Sequence, residues 1–597
     1  TIDGGGLSLT DRENQAQGVG WAAANSVLWQ CSAPVVTCRN PPGARNWAIG
    51  CWGQFLGNGL WQEPNEFVHP DSLFRAQLAE RMGPAAVTTL DPRAIPAEPG
   101  DARPLEEIPS PPGARAQPEE SKPLAIRNGW IVRDGRLLVG GRLSPTWWRG
   151  SIVPARAPEF GPNPTRFMPG RIGTGFTDDL DEVTDAMVRG GRAVLAHHWG
   201  LWYDNRRDDH ERVRRIDGDA WPPFYELPWA RSGRGTAWDG LSRYDLTAFN
   251  PWYFGRLAEC AALCDRKGLL LVQQCYFQHN ILEAGAHWAD FPWRPANCLQ
   301  PTGFPEPPPY AGNKRIFMAQ EFYDVTHPVR RPLHRLYIRR CLDALGRHPN
   351  VLFATGEEYT GPLEFVRFWL DTIVEWERET GRDVLVGLSC TKDVQDAILA
   401  DPVRGPEVSA IELKYWWHTA SGTLYAPEGG QDLAPRQQWR AWRGDTRVSG
   451  AQTARQVREY RDRHPDKAIL CSYLFHAADP WAVVAAGGSI PDLPPGVDPG
   501  LLAALPRMRP CDSAGRADSQ FVLAEPGRHY LVYSASKATE PIRLDLSSDR
   551  ATFSARWIHP RTGRFVGPPE VVRGGQVVAI PDPKSDVLWL ERRAELP

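Results

Sequence analysis

At 597 residues the chain is long enough for three or four domains of about 150 residues each, or for fewer if one is a large barrel. Its 68 basic and 71 acidic residues give a formal net charge of -3, which predicts no cationic face for nucleic acid or anionic lipid. No run of about 18 apolar residues is long enough to cross a bilayer. Nucleic-acid and membrane partners are therefore excluded.

Residues 1–88 are rich in Gly, Asn and Trp and contain short β-like pieces such as Asn25 to Cys31 and Pro34 to Cys38. Their sequence resembles the closing coils of a right-handed parallel β-helix of the kind found in bacterial polysaccharide-degrading proteins. The coils are too few for a stable solenoid alone. We expect that upstream coils are missing from this sequence, or that the segment folds against the next domain.

The eleven cysteines are expected to be mostly reduced and inert, because several lie in apolar strand-like runs. Cys31, Cys38 and Cys51 cluster in the first segment and could form one bridge. No CxxC spacing predicts a zinc site, and the sequence predicts no metal and no cofactor. The chain opens at Thr1 without a charged-then-apolar leader, so any signal peptide would already be absent.

Residues 89–124 are rich in proline and polar side chains and have little to bury, which predicts a linker. From residue 125 to about 500, strand-like and helix-like patterns alternate, which predicts a (β/α)8 TIM-like barrel. An open doubly wound sheet is the rival fold, but no G-x-G-x-x-G motif follows the first strand. The predicted strands are Leu137 to Gly141, Ala193 to Trp199, Leu269 to Cys275, Val351 to Gly356, Val384 to Cys390, Ser409 to Trp416, Ala468 to Tyr473 and a weak last one at Ala485 to Ser489.

Two of the intervening helices have clear ends. Asp178 to Gly190 begins with acids and ends with Arg and Gly, and Pro362 to Gly381 has Pro at its beginning and Gly just past its end.

Polar and aromatic residues follow the carboxyl ends of most predicted strands. In a parallel barrel these ends share one mouth, where substrates bind, although any single residue is more often a satisfied buried polar group. Many of the 25 tryptophans also lie beside polar residues, as in surfaces that stack on sugar rings, with core packing as the plainer explanation. The predicted substrate-binding residues are Trp147, His197, His198, Trp199, Gln274, Tyr276, Tyr359, Lys414, Trp416 and Tyr473.

The stretch NVLFATGEEYTG delivers two acids, Glu357 and Glu358, to the end of a buried strand. Adjacent residues of a strand point to opposite sides, so one of the two is expected to face the mouth. The plainer alternative is a helix cap beside an ion pair.

The sequence from Asn128 to Trp148 resembles the N-terminal part of the apiosidase-like glycoside hydrolase barrels. The run ending in GEEY resembles their fourth strand. Asp479 to Ile490 resembles their last barrel unit, and the run from Arg516 to Phe565 is similar to the collagen-binding-type β-sandwich that follows such barrels. This resemblance covers about four fifths of the chain. It implies a hydrolase of plant or microbial polysaccharide in a secreted or periplasmic bacterial setting.

Glycoside hydrolysis needs two carboxyl groups, one protonated and one ionised. The resemblance assigns the acid to Glu358, with Glu357 as a charged neighbour that would raise its pKa. The family's seventh-strand nucleophile is missing here, because that strand reads AILCSYLFH. Glu412 is the favoured second acid, on one face with Lys414 and Trp416 by period-two alternation, and Asp479 is the reserve. A carboxyl separation of about 5 Å would predict retention and roughly 6.5–9.5 Å inversion.

Residues 513–597 show short alternating strands with regular turns, which predict a small β-sandwich. We favour a structural role for it over a sugar-binding one. Three functions stay open for the whole chain. The first is a glycoside hydrolase, the second a non-catalytic polysaccharide-binding protein on a degenerate barrel, and the third, least favoured, a polysaccharide lyase with Lys414, Tyr473 or a histidine as its base.

Overall fold

The fold is taken from a computed structural model of the chain. It describes residues 6–13, 20–64, 68–70, 72–88, 123–145, 180–199, 227–235, 237, 243–278, 282–283, 288, 291–306, 316–430, 435–473, 475–511, 519–535, 541–580 and 583–593. Nearly all of the predicted linker, together with Trp147, lies outside the described residues.

The first segment forms two three-stranded parallel sheets, ordered β1-β3-β5 and β2-β4-β6. A small core of Val36, Cys38, Ala48 and Cys51 lies between successive coils. Gln30 and Gly50 precede Cys31 and Cys51 and both adopt left-handed backbone, so the chain turns at the same corner in consecutive coils. The strands are β1 Gly6–Leu9, β2 Val27–Trp29, β3 Ser32–Cys38, β4 Trp47–Ile49, β5 Trp52–Leu56 and β6 Leu60–Gln62.

This stacking brings the thiols of Cys31 and Cys51 together. A hydrogen bond from the Cys51 thiol lowers the pKa of Cys31 to about 7. All eleven cysteines are unbridged in the structure. Two helices follow, α1 Leu73–Met82 and α2 Pro84–Thr88.

A three-stranded antiparallel sheet closes the amino end of the barrel. It consists of β7 Ala125–Arg127, β8 Trp130–Arg133 and β9 Arg136–Leu137. Leu124 and Ile131 pack into the same apolar cluster as the strand residues inside the barrel. The backbone N–H of Ile131 donates to the Ser489 hydroxyl at 3.1 Å, which anchors this sheet to the last barrel unit.

The centre is a seven-stranded parallel sheet whose strands are neighbours in chain order, as in a TIM-like barrel. Its inner face carries small and branched apolar side chains, among them Val194, Val272, Leu352 and Leu470. The strands are β10 Gly141–Leu143, β11 Arg192–His197, β14 Leu270–Phe277, β15 Val351–Glu357, β16 Leu385–Leu388, β17 Ala410–Leu413 and β20 Ala468–Cys471. The parallel sheet and its order are as the alternation of the sequence predicted.

Two strand predictions are wrong. Leu137 to Gly141 is not the first barrel strand, because Leu137 ends β9 and the barrel strand begins at Gly141. Ala485 to Ser489 is not a regular eighth strand, because helix α11 Pro480–Ala485 occupies its beginning. Only Ser489 bridges Leu470, and Pro491 accepts from the N–H of Gly140 at 3.0 Å. A few backbone contacts therefore connect the seventh strand to the first.

Helices cover the outside of the sheet. The helix Leu363–Thr380, α7, has a buried stripe that recurs every three or four residues and faces the barrel, and it includes Phe365, Trp369, Ile373 and Trp376. Its left-handed cap at Gly381 ends the helix where the sequence predicted. The barrel helices are α3 Leu180–Arg189, α4 Pro251–Lys267, α5 Ala319–Phe322, α6 Arg330–Leu345, α7 Leu363–Thr380, α8 Lys392–Leu399, α9 Pro435–Ala441 and α10 Gly450–Arg463.

Two small antiparallel pairs lie in the connections, β12 Trp229–Arg231 with β13 Tyr244–Phe249 and β18 Trp417–His418 with β19 Leu424–Tyr425. Helix α12 Pro499–Ala504 and a 3-10 turn, Leu505–Arg507, lead into the last block.

The last block contains a six-stranded antiparallel sheet, ordered β21-β22-β23-β28-β25-β26, and a separate β24-β27 pair. Ile542, Leu544 and Ile580 of the pair share a core with the larger sheet. The strands are β21 Arg509–Cys511, β22 Gln520–Glu525, β23 His529–Ser534, β24 Ile542–Asp545, β25 Thr552–Ile558, β26 Phe565–Arg573, β27 Val577–Ile580 and β28 Val587–Arg592.

Candidate active site at the mouth of the barrel

Glu357 is the last residue of β15 and lies among cations and amides at the carboxyl ends of the strands. Its two carboxylate oxygens accept from Lys414 Nζ at 2.7 and 2.6 Å, and one also accepts from Gln274 Nε2. Arg142 Nη2 lies 3.6 Å from the same oxygen. The Glu357 side chain is therefore fixed at the mouth by residues from three other strand ends.

Glu412 faces the barrel interior from β17. Its Oε1 accepts from Arg142 Nη1 and from the Ser472 hydroxyl, and the residue is 5% exposed. Arg142 thus bridges Glu412 and Glu357, and Lys414 completes an alternating arrangement of two acids and two bases. We call Arg142, Gln274, Glu357, Glu412 and Lys414 the charged cluster.

Both acids of the charged cluster are ionised at neutral pH. Burial by itself would raise the pKa of Glu357, but Lys414 and Arg142 outweigh it and lower that pKa to about 2. The pKa of Glu412 is lowered in the same way, against burial, by Arg142 and Lys414. A buried carboxylate with two cationic neighbours keeps its charge because the ion pair offsets the loss of hydration.

The backbone turns away from the strand at Glu358, the residue directly after the end of β15. Its backbone has a φ of +52°, the left-handed region that non-glycine residues rarely adopt, and its side chain is buried. Burial and the charges of Glu357, Glu412 and Glu358 together raise the pKa of Tyr415 well above its usual range. The Tyr415 hydroxyl is therefore within the electrostatic influence of all three carboxyl groups, and within the described residues it has no hydrogen-bond partner.

His198 lies at the edge of the charged cluster, with its ring 4.4 Å from that of Phe277. Burial lowers its pKa to about 4, and Lys414 and Arg142 act in the same direction against the attraction of Glu357. The imidazole is therefore neutral at neutral pH.

A cavity of about 250 Å³ adjoins Glu412 where Ser489 to Pro491 make the sparse closure of the barrel. We call it the inner cavity. Its polar lining includes Arg142, Glu412, Ser472, Tyr473 and His476, and its apolar lining includes Val194, Val272 and Leu470. A second cavity of about 1010 Å³ extends toward Pro560 and Arg561 of the last block and shares part of the same wall.

The structure brings one group of the predicted residues together. His198, Gln274, Glu357, Glu412 and Lys414 converge on the mouth, and Tyr473 lines the inner cavity. The Tyr473 hydroxyl itself points to helix α10, where it donates to Gln456 Oε1 at 2.8 Å.

Five predicted substrate-binding residues face the helix layer instead, which corrects the expectation that they line the cleft. His197 hydrogen-bonds Gln273 and packs on Tyr253 of α4. Trp199 donates to the Tyr337 hydroxyl of α6 at 2.8 Å. All five, His197, Trp199, Tyr276, Tyr359 and Trp416, are fully buried.

The other three make contacts of the same kind. Tyr276 is hydrogen-bonded to His334 of α6 at 3.0 Å, and Tyr359 donates to the carbonyl of Pro362. Trp416 donates to Gln395 of α8. Period-two alternation placed Trp416 beside Glu412, but β17 ends at Leu413 and the alternation ends with it.

Asp479, the reserve for the second acid, is a helix cap. Its Oδ1 accepts from the N–H groups of Trp481 and Ala482 at the start of α11, and its Oδ2 accepts from the Tyr533 hydroxyl at 2.9 Å. These bonds commit the carboxylate to the contact with the last block, so Asp479 is not available as the second acid.

Sequence reasoning missed Arg142 and Tyr415. Arg142 was missed because the predicted first strand ended at Gly141, one residue before it. An arginine within a barrel strand is itself a signal of a buried acid partner. Tyr415 stands directly after Lys414 and carried no signal of its own in the sequence.

Within the described residues, no group of three or more His, Cys, Asp or Glu side chains has metal-binding geometry. No helix in the described part of the chain is long and apolar enough to cross a membrane.

The family model described as "Domain of unknown function (DUF6298)" matches residues 93–508. No curated protein matches the sequence. Among solved structures, one titled "Glycoside hydrolase" is 11% identical with a TM-score of 0.41, and the match covers 79% of this chain and 98% of that one. A glycoside hydrolase family 5 structure from Bacteroides vulgatus is 12% identical with a TM-score of 0.41, covering 79% and 94%.

A GH27 β-L-arabinopyranosidase from Geobacillus stearothermophilus is 11% identical with a TM-score of 0.32, and the match covers 77% of this chain and 97% of that one. Function resides in a site and not in the fold that carries it. Its assignment here depends on the residues at the mouth.

Proposed function

The chain belongs to the DUF6298 family, a domain of unknown function, and we propose that it is a glycoside hydrolase. Its substrate is a plant or microbial cell-wall polysaccharide or an oligosaccharide derived from it. The proposal includes secretion or export to the bacterial periplasm, where such polymers occur, and no cofactor.

One observation carries this proposal. Arg142 contacts both Glu357 and Glu412 at the carboxyl ends of the strands, with Glu358 next in the chain, and Glu412 borders a cavity lined by hydroxyl, guanidinium and imidazole groups. Hydrolysis of a glycosidic bond requires a protonated and an ionised carboxyl group on opposite sides of that bond. The proposal assigns these two roles to Glu358 and Glu412.

Glu358 is the proposed general acid. Glu357 and Glu412 are already ionised, and two negative neighbours favour retention of a proton on the third carboxyl group. In this role Glu358 protonates the leaving oxygen as the glycosidic bond breaks.

Glu412 is the proposed ionised partner, because it is the carboxylate that lines the inner cavity. It acts either as the nucleophile or as the base that activates water, according to its separation from Glu358. Glu357 holds Lys414 and Arg142 in place and is a positioning residue. Gln274 donates to Glu357, and the charge of Glu357 also acts on His198.

A non-catalytic polysaccharide-binding protein is the second candidate. The observation that favours it is the compensated charge of the cluster, because two acids and two bases in mutual ion pairs also describe a purely structural network. This candidate predicts glycan binding without any product.

A lyase is disfavoured by the same contacts. Lys414 is bound by both oxygens of Glu357. Burial raises the pKa of Tyr473 well above its usual range, and its hydroxyl donates to Gln456. Neither group is placed to take a proton from a uronic acid.

The test is hydrolysis of a panel of cell-wall oligosaccharides, with the anomer of the first product followed by NMR. Glu358→Gln should lower turnover by about 10²- to 10⁴-fold, the range of general acid catalysis, and leave substrate affinity unchanged. Glu364→Gln is the matched control, because Glu364 is a nearby glutamate with a 66% exposed side chain. Full activity of Glu358→Gln would overturn the assignment of the acid, and binding without product by the wild type would support the second candidate.

A further inference from the structure

A group of aromatic side chains lies next to the charged cluster and is not used by the proposed chemistry. Trp417 and Tyr425 come from the β18–β19 hairpin, Trp439 from α9, and Phe475 and His476 from the segment after β20. We call these five residues the aromatic pocket. Trp417 and Tyr425 are buried, whereas Trp439, Phe475 and His476 are half-buried.

The rings form a continuous wall. The Trp417 ring lies 4.4 Å from Tyr425 and 5.1 Å from His476, and Trp439 stacks on Phe475 at 5.7 Å with an interplanar angle of 16°. Such flat surfaces have the shape and polarity to pack against the C–H face of a sugar ring.

Three polar atoms in this wall have no hydrogen-bond partner among the described residues. They are Trp417 Nε1, the Tyr425 hydroxyl and His476 Nε2, and each is inaccessible to solvent. Buried polar atoms in native proteins are nearly always paired, and an unpaired one costs about 1–3 kcal/mol. Three on neighbouring rings, two from the β18–β19 hairpin and one from the segment after β20, indicate a polar group that is supplied by a ligand.

Other unpaired indole N–H groups do not share this setting. Those of Trp229, Trp288, Trp293, Trp369 and Trp589 are also unpaired, but these five side chains belong to the main core, whereas Trp417 belongs to a separate aromatic cluster. Three rings of the aromatic pocket are half-buried, and one of them, His476, also lines the inner cavity together with Tyr473 and Glu412. The Trp417 and Tyr473 rings are 5.9 Å apart.

We infer that the aromatic pocket binds a neutral sugar unit adjacent to the one bound beside Glu412. This inference depends on the proposed function, and it defines the substrate as an oligosaccharide or polysaccharide with at least two units in contact with the protein. Sugar hydroxyls both donate and accept, which matches an indole N–H, a phenol and a neutral imidazole. The indole and phenol rings carry no charge, and burial lowers the pKa of His476, so the wall offers no cation to pair with a uronate.

Binding is measured by isothermal titration calorimetry with the full-length Glu358→Gln protein, which keeps the oligosaccharides intact. The probes are hexasaccharides of β-1,4-glucan, β-1,4-xylan, β-1,4-mannan and α-1,5-arabinan. Trp439→Ala should weaken binding of the recognised hexasaccharide by about tenfold or more, about 1.4 kcal/mol. Trp61→Ala, at a half-buried tryptophan of the first segment, should leave the affinity unchanged.

Tyr425→Phe tests whether a loss of affinity comes from a contact with the sugar or from damage to the fold, because it removes one oxygen and keeps the ring. The affinity should fall by about two- to tenfold, the net effect of one hydrogen bond. The melting temperature of the sugar-free protein should stay the same or rise, because an unpaired buried hydroxyl has been removed. A structural hydroxyl would instead show a lower melting temperature with unchanged affinity.

The outcomes separate this inference from the proposed function. Unchanged affinity in both Trp439→Ala and Tyr425→Phe overturns the sugar site, even if the wild type hydrolyses the sugar. Weakened binding in both variants supports the site, even if the wild type yields no product. Absence of binding by every hexasaccharide overturns the site as well.

Discussion

The strand ends of the barrel carry buried polar residues on two sides, and the two sides differ in charge. On the inner side, Arg142, Glu357, Glu412 and Lys414 are ionised and face the mouth. On the outer side, neutral pairs such as Trp199 with Tyr337 and Tyr276 with His334 connect strands to helices.

This difference in charge distinguishes buried polar residues that stabilise the fold from those that are available for function. Neutral hydrogen bonds in the helix layer satisfy both partners and leave nothing for a ligand. The inner side holds three carboxyl groups beside two cations, together with a buried Tyr415 hydroxyl that has no hydrogen-bond partner among the described residues. Substitutions on the inner side should therefore change catalysis, and those on the outer side should change stability alone.

The largest expected effect is that of Glu412→Gln on the inner side. Loss of the ionised partner should lower kcat/KM by about 10²- to 10⁴-fold, equivalent to about 3–5 kcal/mol of transition-state stabilisation. Steady-state kinetics on the hydrolysed oligosaccharide, with Glu364→Gln as control, measures it. A variant with full kcat/KM would show that the inner side is as structural as the outer.

An intermediate effect is expected when the pH is lowered, because the buried histidines of the outer side then reduce the stability of the fold. Burial lowers the pKa of His197 and of His334 to about 3. Below about pH 6.5 the unfolded chain binds protons at both residues and the folded chain does not, so stability is lost as the pH falls from about 6.5 toward 3.

Urea unfolding at pH 7, 6 and 5 measures this loss, which should approach about 1.4 kcal/mol per pH unit for each histidine. In His334→Gln the slope should decrease by up to that amount, with no change in KM at pH 7. An unchanged slope would contradict the neutral buried state of His334.

The smallest effect is expected from Tyr337→Phe. The Tyr337 hydroxyl accepts from Trp199 Nε1 and donates to the carbonyl of Cys275 at 2.6 Å, so its removal leaves two buried groups unpaired. The free energy of unfolding should fall by about 1–3 kcal/mol in urea titrations, with kcat and KM unchanged. A change in KM without a loss of stability would place this hydroxyl in the cleft and break the comparison.

Much of the barrel follows from local pattern. Val351 to Ala354 and Ile469 to Leu470 are short apolar runs bounded by turns, and both are strands in the structure. The absence of a regular eighth strand at Ala485 to Ser489 does not follow from local pattern. Asp479 and Pro480 start a helix, and the apolar residues after them belong to that helix.

The candidate site follows the same division. The GEEY turn at the end of a buried strand is visible in the sequence, and so is the acid at Glu412. The preference for Glu358 over Glu357 as the residue that faces the mouth stays a prediction. Glu357 is at the centre of the charged cluster and Glu358 turns with a left-handed backbone beside it.

The sequence by itself determined that strands and helices alternate and that acids, amides and aromatics follow the strand ends, because periodicity and residue type are local properties. Only the tertiary structure decided which of these residues share the mouth. β17 ends at Leu413 and β15 at Glu357, so side chains beyond those points no longer alternate between two faces. Arg142 also reaches Glu412 across 270 positions of the chain, a contact that closure of the sheet creates and local pattern does not contain.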